Sequence, residues 1–230
     1  MDIEYLDTGP GRRLAFSRVA AAPGNEAPGV VFLCGFRSDM SGTKAQYLAD
    51  WAARTGRGLL RFDYTGHGRS SGRFEAGSIG DWARDARDVI AACTRGRQVL
   101  VGSSMGGWMA LLVARALPER VAGLVGIAAA PDFTEDGLMQ RLTEAQRETL
   151  TRSGRVALDS PYDESPTIVT RHLVEEARAH LVLRSPLPLP FPVRLLHGSD
   201  DTDVDPAVAL RLLAHADCSD LRLTLVKGAD

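Results

Sequence analysis

A doubly wound, mostly parallel α/β sheet is the fold class that the sequence predicts, and three observations predict it. Continuous apolar runs at Val30 to Cys34, Val99 to Val101 and Val121 to Ile127 read as strands buried on both faces. Stretches whose apolar residues recur at helical spacing lie between them, so strand and helix alternate along the chain. One junction, Gly102-Ser103-Ser104-Met105-Gly106, carries G-x-S-x-G between an apolar strand and an apolar helix, the pattern of a nucleophile elbow.

Ile3 to Leu6 and Leu14 to Val19 alternate around Gly9-Pro10-Gly11, which predicts an N-terminal antiparallel hairpin. An Ala/Pro/Gly linker, Ala20 to Gly29, leads to the strand Val30 to Cys34, which breaks at Gly35. A helix is expected from Thr43 to Arg54, with Tyr47, Leu48, Trp51 and Ala52 as its apolar positions and Gly56 and Gly58 as its stop. Leu59 to Phe62 is the next strand. Ser78 and Asp81 read as a capping box opening a helix whose inward face is Ile79, Trp82, Ala86, Val89 and Ile90. The elbow strand follows, then a helix running to Leu117 and stopped by Pro118, then the strand Val121 to Ile127. From Asp132 to Pro192 the alternation stops, and helical, proline-punctuated segments are expected at Leu138 to Leu150 and Thr167 to Leu183.

An excursion of that length between two strands predicts a helical lid over a site. A single domain, 1–230, then divides into a core of 1–131 and 192–230 and a lid of about 132–191. The sheet resumes at Val193 to Leu196. A helix from Pro206 to Ala214 and the strand Leu221 to Val226 complete it, with the usual C-terminal helix expected to be missing.

The reversal at the elbow strains the backbone of Ser104 and leaves no room for a Cβ at Gly102 or Gly106. Ser104 then projects alone at the top of the sheet. The N–H of Met105, at the helix start, faces the position where an oxyanion would form. A second donor belongs in the loop after Cys34, at the backbone of Phe36, whose ring either lines an acyl pocket or packs in the core.

A serine presented in this way is followed in the chain by an acid and then a histidine. The loop after the next-to-last strand reads His197-Gly198-Ser199-Asp200-Asp201-Thr202-Asp203-Val204-Asp205-Pro206. Hydrolases built on such an elbow commonly show H-G-x-x-D-x-x-V here, matched by His197, Gly198, Asp201 and Val204, so Asp201 is the leading acid. Asp200, Asp203 and, after the preceding strand, Asp132 remain alternatives. The histidine belongs after the last strand, where the chain reads Lys227-Gly228-Ala229-Asp230. His67, His172, His180, His197 and His215 are expected in loops or on the surface, none of them placed as the base. The sequence is therefore expected to stop just short of its base and to hydrolyse poorly in this form.

Bulk properties narrow the classes. With 44% hydrophobic and 24% charged residues and a net charge of −2, nothing favours nucleic acid or an anionic membrane as partner. Three cysteines, far apart and without ligand spacing, suit a reducing compartment and imply neither metal nor other cofactor. No signal peptide or membrane-spanning run is visible, so the cytoplasm is the expected location. Nucleotide binding by Gly66-His67-Gly68-Arg69-Ser70-Ser71-Gly72 is disfavoured, because the third glycine comes one residue late for G-x-G-x-x-G and no apolar helix follows.

Four stretches, Gly35 to Lys44, Phe62 to Gly72, Gly102 to Trp108 and Arg194 to Gly198, together resemble the α/β-hydrolase family of the mitochondrial palmitoyl-protein thioesterase and acyl-glucuronide esterase and its bacterial relatives. The resemblance runs in order over nearly the whole chain. It implies an α/β-hydrolase fold and a serine hydrolase acting on esters or thioesters of small-molecule or acylated substrates through an acyl-enzyme on Ser104. It further implies Asp201 as acid, Phe36 and Met105 as oxyanion donors, and a histidine directly after Asp230. Two departures stand out: the histidine is absent, and Asp205-Pro206 stands where the family usually has Pro-Trp. Taken at face value, the missing histidine gives the competing expectation, a non-catalytic ligand-binding protein on the same fold.

Overall fold

The apolar runs assemble into one eight-stranded sheet, in a computed structural model that describes residues 2–159 and 165–230. Its strands are β1 (Glu4–Asp7), β2 (Arg13–Val19), β3 (Gly29–Leu33), β4 (Leu59–Phe62), β5 (Gln98–Ser103), β6 (Val121–Ile127), β9 (Val193–Gly198) and β10 (Leu221–Val226), in the spatial order β1-β2-β4-β3-β5-β6-β9-β10. From β4 to β10 every pairing is parallel, while β1–β2 and β2–β4 are antiparallel. The predicted hairpin is thus the antiparallel edge of the sheet. It is fastened by Asp85, fully buried, which accepts from Arg12 Nη2 at 2.6 Å and from the Thr65 N–H at 2.7 Å.

Helices α1 (Thr43–Thr55), α2 (Ile79–Cys93), α3 (Met105–Ala116) and α7 (Pro206–His215) follow strands as the alternation requires. The Ser78 side chain caps α2 by accepting from the Asp81 N–H, and the Asp81 carboxylate returns the contact to the Ser78 hydroxyl. All five residues expected on the inward face of α2 are buried. Helix α1 differs from its reading. It buries Ala45, Ala49 and Ala52, whereas Tyr47 is 67% exposed. Tyr47, Leu48 and Trp51 instead line an open trough of about 690 Å³ with Val99, Val101, Val125, Ile127 and Leu196 from one face of the sheet. The opposite face of β5 presents Gly102 to α3.

The excursion between β6 and β9 is only partly helical, which corrects the expectation. It holds a π-helical turn (Thr134–Leu138), α4 (Met139–Arg141), α5 (Glu144–Ser153), an antiparallel hairpin of β7 (Arg155–Leu158) and β8 (Thr167–Thr170), and α6 (Arg171–Ala177). Residues 160–164 of the expected lid lie outside the described residues. Thr167-Ile168-Val169-Thr170 is β-branched throughout, which favours strand over helix. Val169 closes a separate small core with Leu142, Leu150, Val156 and Val174.

The helix after the elbow touches the sheet without any side chain between them. A Cβ on Gly106 would stand 2.0 Å from the Leu33 carbonyl oxygen, and one on Gly102 would stand 2.3 Å from that of Gly106. Both obstacles are backbone and cannot rotate away. The variant Gly106→Ala is therefore expected to lose about 3 kcal/mol of stability, the upper end for overpacking, and to melt roughly 6–12 °C lower by calorimetry.

Candidate active site

Ser104 sits between β5 and α3 with φ 52° and ψ −121°, a strained conformation for a residue with a side chain. Three backbone hydrogen bonds hold it there: its N–H donates to Ile127 O at 3.0 Å, and its carbonyl accepts from Gly107 N at 2.9 Å and Ala130 N at 3.0 Å. The hydroxyl has no hydrogen-bond partner among the described residues. The loop after β3 passes directly beside it, since a Cβ on Gly35 would lie 3.4 Å from Ser104 Cβ. Neither the Phe36 N–H nor the Met105 N–H has a partner among the described residues. For Met105 this is the ordinary condition of a first helical residue.

Ser104, Gly35, Phe36, Asp201, His197 and the final residues Val226, Ala229 and Asp230 line one cavity of about 570 Å³. Three of the four expected site residues, Ser104, Phe36 and Asp201, are thereby brought together at the carboxyl end of the parallel strands, while Met105 is not among the lining residues. Residue Phe36 borders this cavity, and its ring packs edge-on against Phe74, Phe133 and Trp82 at centroid distances of 4.9, 5.4 and 5.9 Å. Lys44 also borders the cavity; reading the sequence did not single it out as a site residue, although Lys44 and Lys227 are the only lysines among 27 basic residues.

The acid candidates separate clearly. Asp201 Oδ1 accepts from the N–H groups of Asp203 and Val204 at 2.9 and 2.8 Å, which fixes the loop, and Oδ2 lies 3.5 Å from His197 Nε2. Asp203 reaches the cavity from an exposed position, and Asp200 is exposed with its carboxylate on the Ser199 hydroxyl. Asp132 is committed elsewhere. Fully buried and at φ 57°, it accepts from Val182 N at 2.8 Å, Leu183 N at 3.0 Å and Arg184 Nη1 at 2.6 Å. Arg184 continues to Asp136, which also meets Arg211, and these two cations hold the Asp136 carboxyl below its ordinary range, Arg184 foremost.

One of the five histidines corrects the expectation of loop or surface positions, because His197 lies buried in β9; His67 stands in its expected loop, though buried there. His197 Nε2 donates to Val204 O at 2.7 Å, pinning the acid loop. His180 pairs with Glu176 at 2.7 Å, His215 meets Ser185 O at 2.8 Å, and His172 is exposed on α6. Among the described residues none hydrogen-bonds Ser104. The glycine-rich loop 66–72 turns its N–H groups inward: those of Gly66, His67, Ser70 and Ser71 meet backbone carbonyls, and that of Arg69 meets the buried Asp63 carboxylate at 2.8 Å. A phosphate would find that cradle already filled. Among the described residues no cluster of three or more His, Cys, Asp or Glu could hold a metal ion, and no helix is long and apolar enough to cross a membrane.

Residues 25–186 match the model of the family described as serine aminopeptidase, S33. The mitochondrial palmitoyl-protein thioesterase ABHD10 of Bos taurus is 33% identical over 229 residues, covering 99% of this chain and 73% of that protein. A solved structure from Agrobacterium vitis S4 is 39% identical, with a TM-score of 0.93 over 100% of this chain and 90% of that one. The alpha/beta hydrolase domain-containing protein 10 from mouse superposes with a TM-score of 0.90 at 32% identity, over 100% of this chain and 90% of the mouse chain.

Beneath Phe36, the His67 ring lies among Tyr64, Phe74 and Trp82, and burial pushes it down to about 4. The unfolded chain protonates this group near about 6.5, so the unfolded state binds the extra proton. Stability should therefore be full above about pH 6.5 and fall as the pH drops towards about 4. Urea titrations at about pH 8 and about pH 5 should differ by roughly 2 kcal/mol on account of this group, a difference that His67→Gln removes.

Proposed function

This chain belongs to the α/β-hydrolases of the serine aminopeptidase, S33, family, and on that footing we propose that it cleaves carboxylic esters or thioesters through an acyl-enzyme on Ser104. The observation that carries the reading is the strained Ser104, whose hydroxyl and two neighbouring backbone N–H groups have no hydrogen-bond partner among the described residues, facing one cavity. In the proposed reaction Ser104 Oγ attacks the acyl carbon, forming a C–O bond while the carbonyl electrons move onto oxygen. The N–H groups of Phe36 and Met105 stabilise that oxyanion. The serine proton passes to a general base and on to the leaving alcohol or thiol as its bond to the acyl carbon breaks. Water then repeats the sequence on the ester of Ser104, releasing the acid and regenerating the hydroxyl.

Asp201 is the proposed acid. Its Oδ1 is occupied by its own loop, and its carboxylate borders the same cavity as Ser104. The base is proposed to be a histidine following Asp230. Support comes from Val226, Ala229 and Asp230 lining that cavity, and from the lack, among the described residues, of a hydrogen bond between Ser104 and any of the five histidines. The excursion of about 132–191 is proposed as the lid, and the names of the relatives favour an acylated protein or similar acyl donor as substrate.

An alkyl fluorophosphonate tests this directly. We expect covalent modification at Ser104 by mass spectrometry, abolished by Ser104→Ala, slow in the 230-residue form and at least about a hundredfold faster in a form extended by a histidine-bearing tail, the usual scale of general-base assistance. Full esterase activity in the short form would refute the missing-base account. Absence of modification in both forms would favour a ligand-binding protein that has no catalytic step.

A further inference from the structure

We propose that Arg37 is a positioning residue for the oxyanion donor: it fastens the loop bearing the Phe36 N–H to the β7–β8 hairpin, so that seating of the hairpin sets the geometry at Ser104. This rests on the reading of Ser104 as nucleophile and Phe36 as donor. Arg37 directly follows Phe36 and has φ 59°, a left-handed backbone that a non-glycine residue adopts only when its surroundings hold it there. The holding contact is visible. Arg37 Nη1 donates to Thr167 Oγ1 at 2.8 Å and approaches Ser165 O at 3.5 Å, across 130 and 128 residues of sequence.

Thr167 opens β8, where it pairs with Leu158 of β7, and β8 runs without a break into α6. Helix α6 is docked in turn on the core, its Glu176 accepting from the Gly80 N–H at 3.0 Å. On the other flank the same loop abuts the nucleophile through Gly35. Four residues, 35–38, are thus clamped between Ser104 and the excursion. The strain at Arg37 and the contribution of one charge-assisted hydrogen bond are of the same order. Loss of the bond lets φ relax, and the adjoining peptide units, that of Phe36 among them, turn away from the oxyanion position. A purely cohesive contact would leave Phe36 where it is.

The test measures, in the full-length protein, the saturating rate of Ser104 phosphonylation and the half-saturating concentration of an alkyl fluorophosphonate. Thr167→Val keeps the shape and strand preference of threonine and removes only the acceptor. It is expected to lower the saturating rate about tenfold with little change in half-saturation, since misplacement by a fraction of an ångström is costly at a reacting centre. Thr167→Ser restores the rate. The double variant Arg37→Ala/Thr167→Val is no slower than Arg37→Ala alone, because Arg37→Ala already removes the Thr167 contact. An unchanged saturating rate in Thr167→Val, or losses that multiply in the double variant, overturns the proposal while leaving Ser104 as nucleophile. Equal modification of the parent and Ser104→Ala overturns both readings.

Discussion

The closeness of α3 to β3 and β5 is the constraint on which the rest of the molecule depends. With no side chain at Gly102 or Gly106, the helix start presses against the Leu33 carbonyl, and the connecting residue has to turn through a left-handed conformation. Such a turn costs about 1–3 kcal/mol and persists because the Ile127 carbonyl and the Gly107 and Ala130 amides over-determine it. Its product is geometric. The side chain of Ser104 is lifted clear of the sheet, its neighbour's N–H is freed at a helix terminus, and the loop after β3 is drawn within van der Waals distance.

A second constraint lies in the excursion, and its anchor is the buried Asp132. The Asp132 carboxylate accepts from two backbone N–H groups and one guanidinium of residues 182–184. Arg184, Asp136 and Arg211 extend this into a chain of alternating charge that reaches α7. The return path of the excursion is therefore fixed at the sheet, while its hairpin meets the loop after β3 at Arg37. One end is held by a buried carboxylate, and the other by a surface contact of modest strength.

Much of this was legible in the sequence because the decisive signals are local. The elbow, the Ser78 cap, the stop at Pro118 and the apolar strands each depend on a few adjacent residues and stand where the pattern put them. What stayed hidden depends on distant partners. The order β4-β3-β5 is set by parallel pairing between remote segments, and Thr167 to Thr170 looked helical because it leads into a true helix. Tyr47, Leu48 and Trp51 do form an apolar face, but that face meets the trough and not the buried core. His67 and His197 are polar by type and gave no sign of burial, which comes from aromatic and loop residues folded over them. Asp132 stood as a possible acid until its partners fifty residues away came into view.

Lys44 stands on the rim shared by the cavity of Ser104 and the trough beside α1, in a protein whose other cations are nearly all guanidinium. Reagents that acylate primary amines pass over arginine, so they have only two side chains to modify, one of them at the wall of the cavity that Ser104 lines. Coupling this protein to a resin, a dye or a sensor chip through lysine would crowd the very opening such an experiment is meant to leave free, and a thiol or a peptide tag is the safer handle.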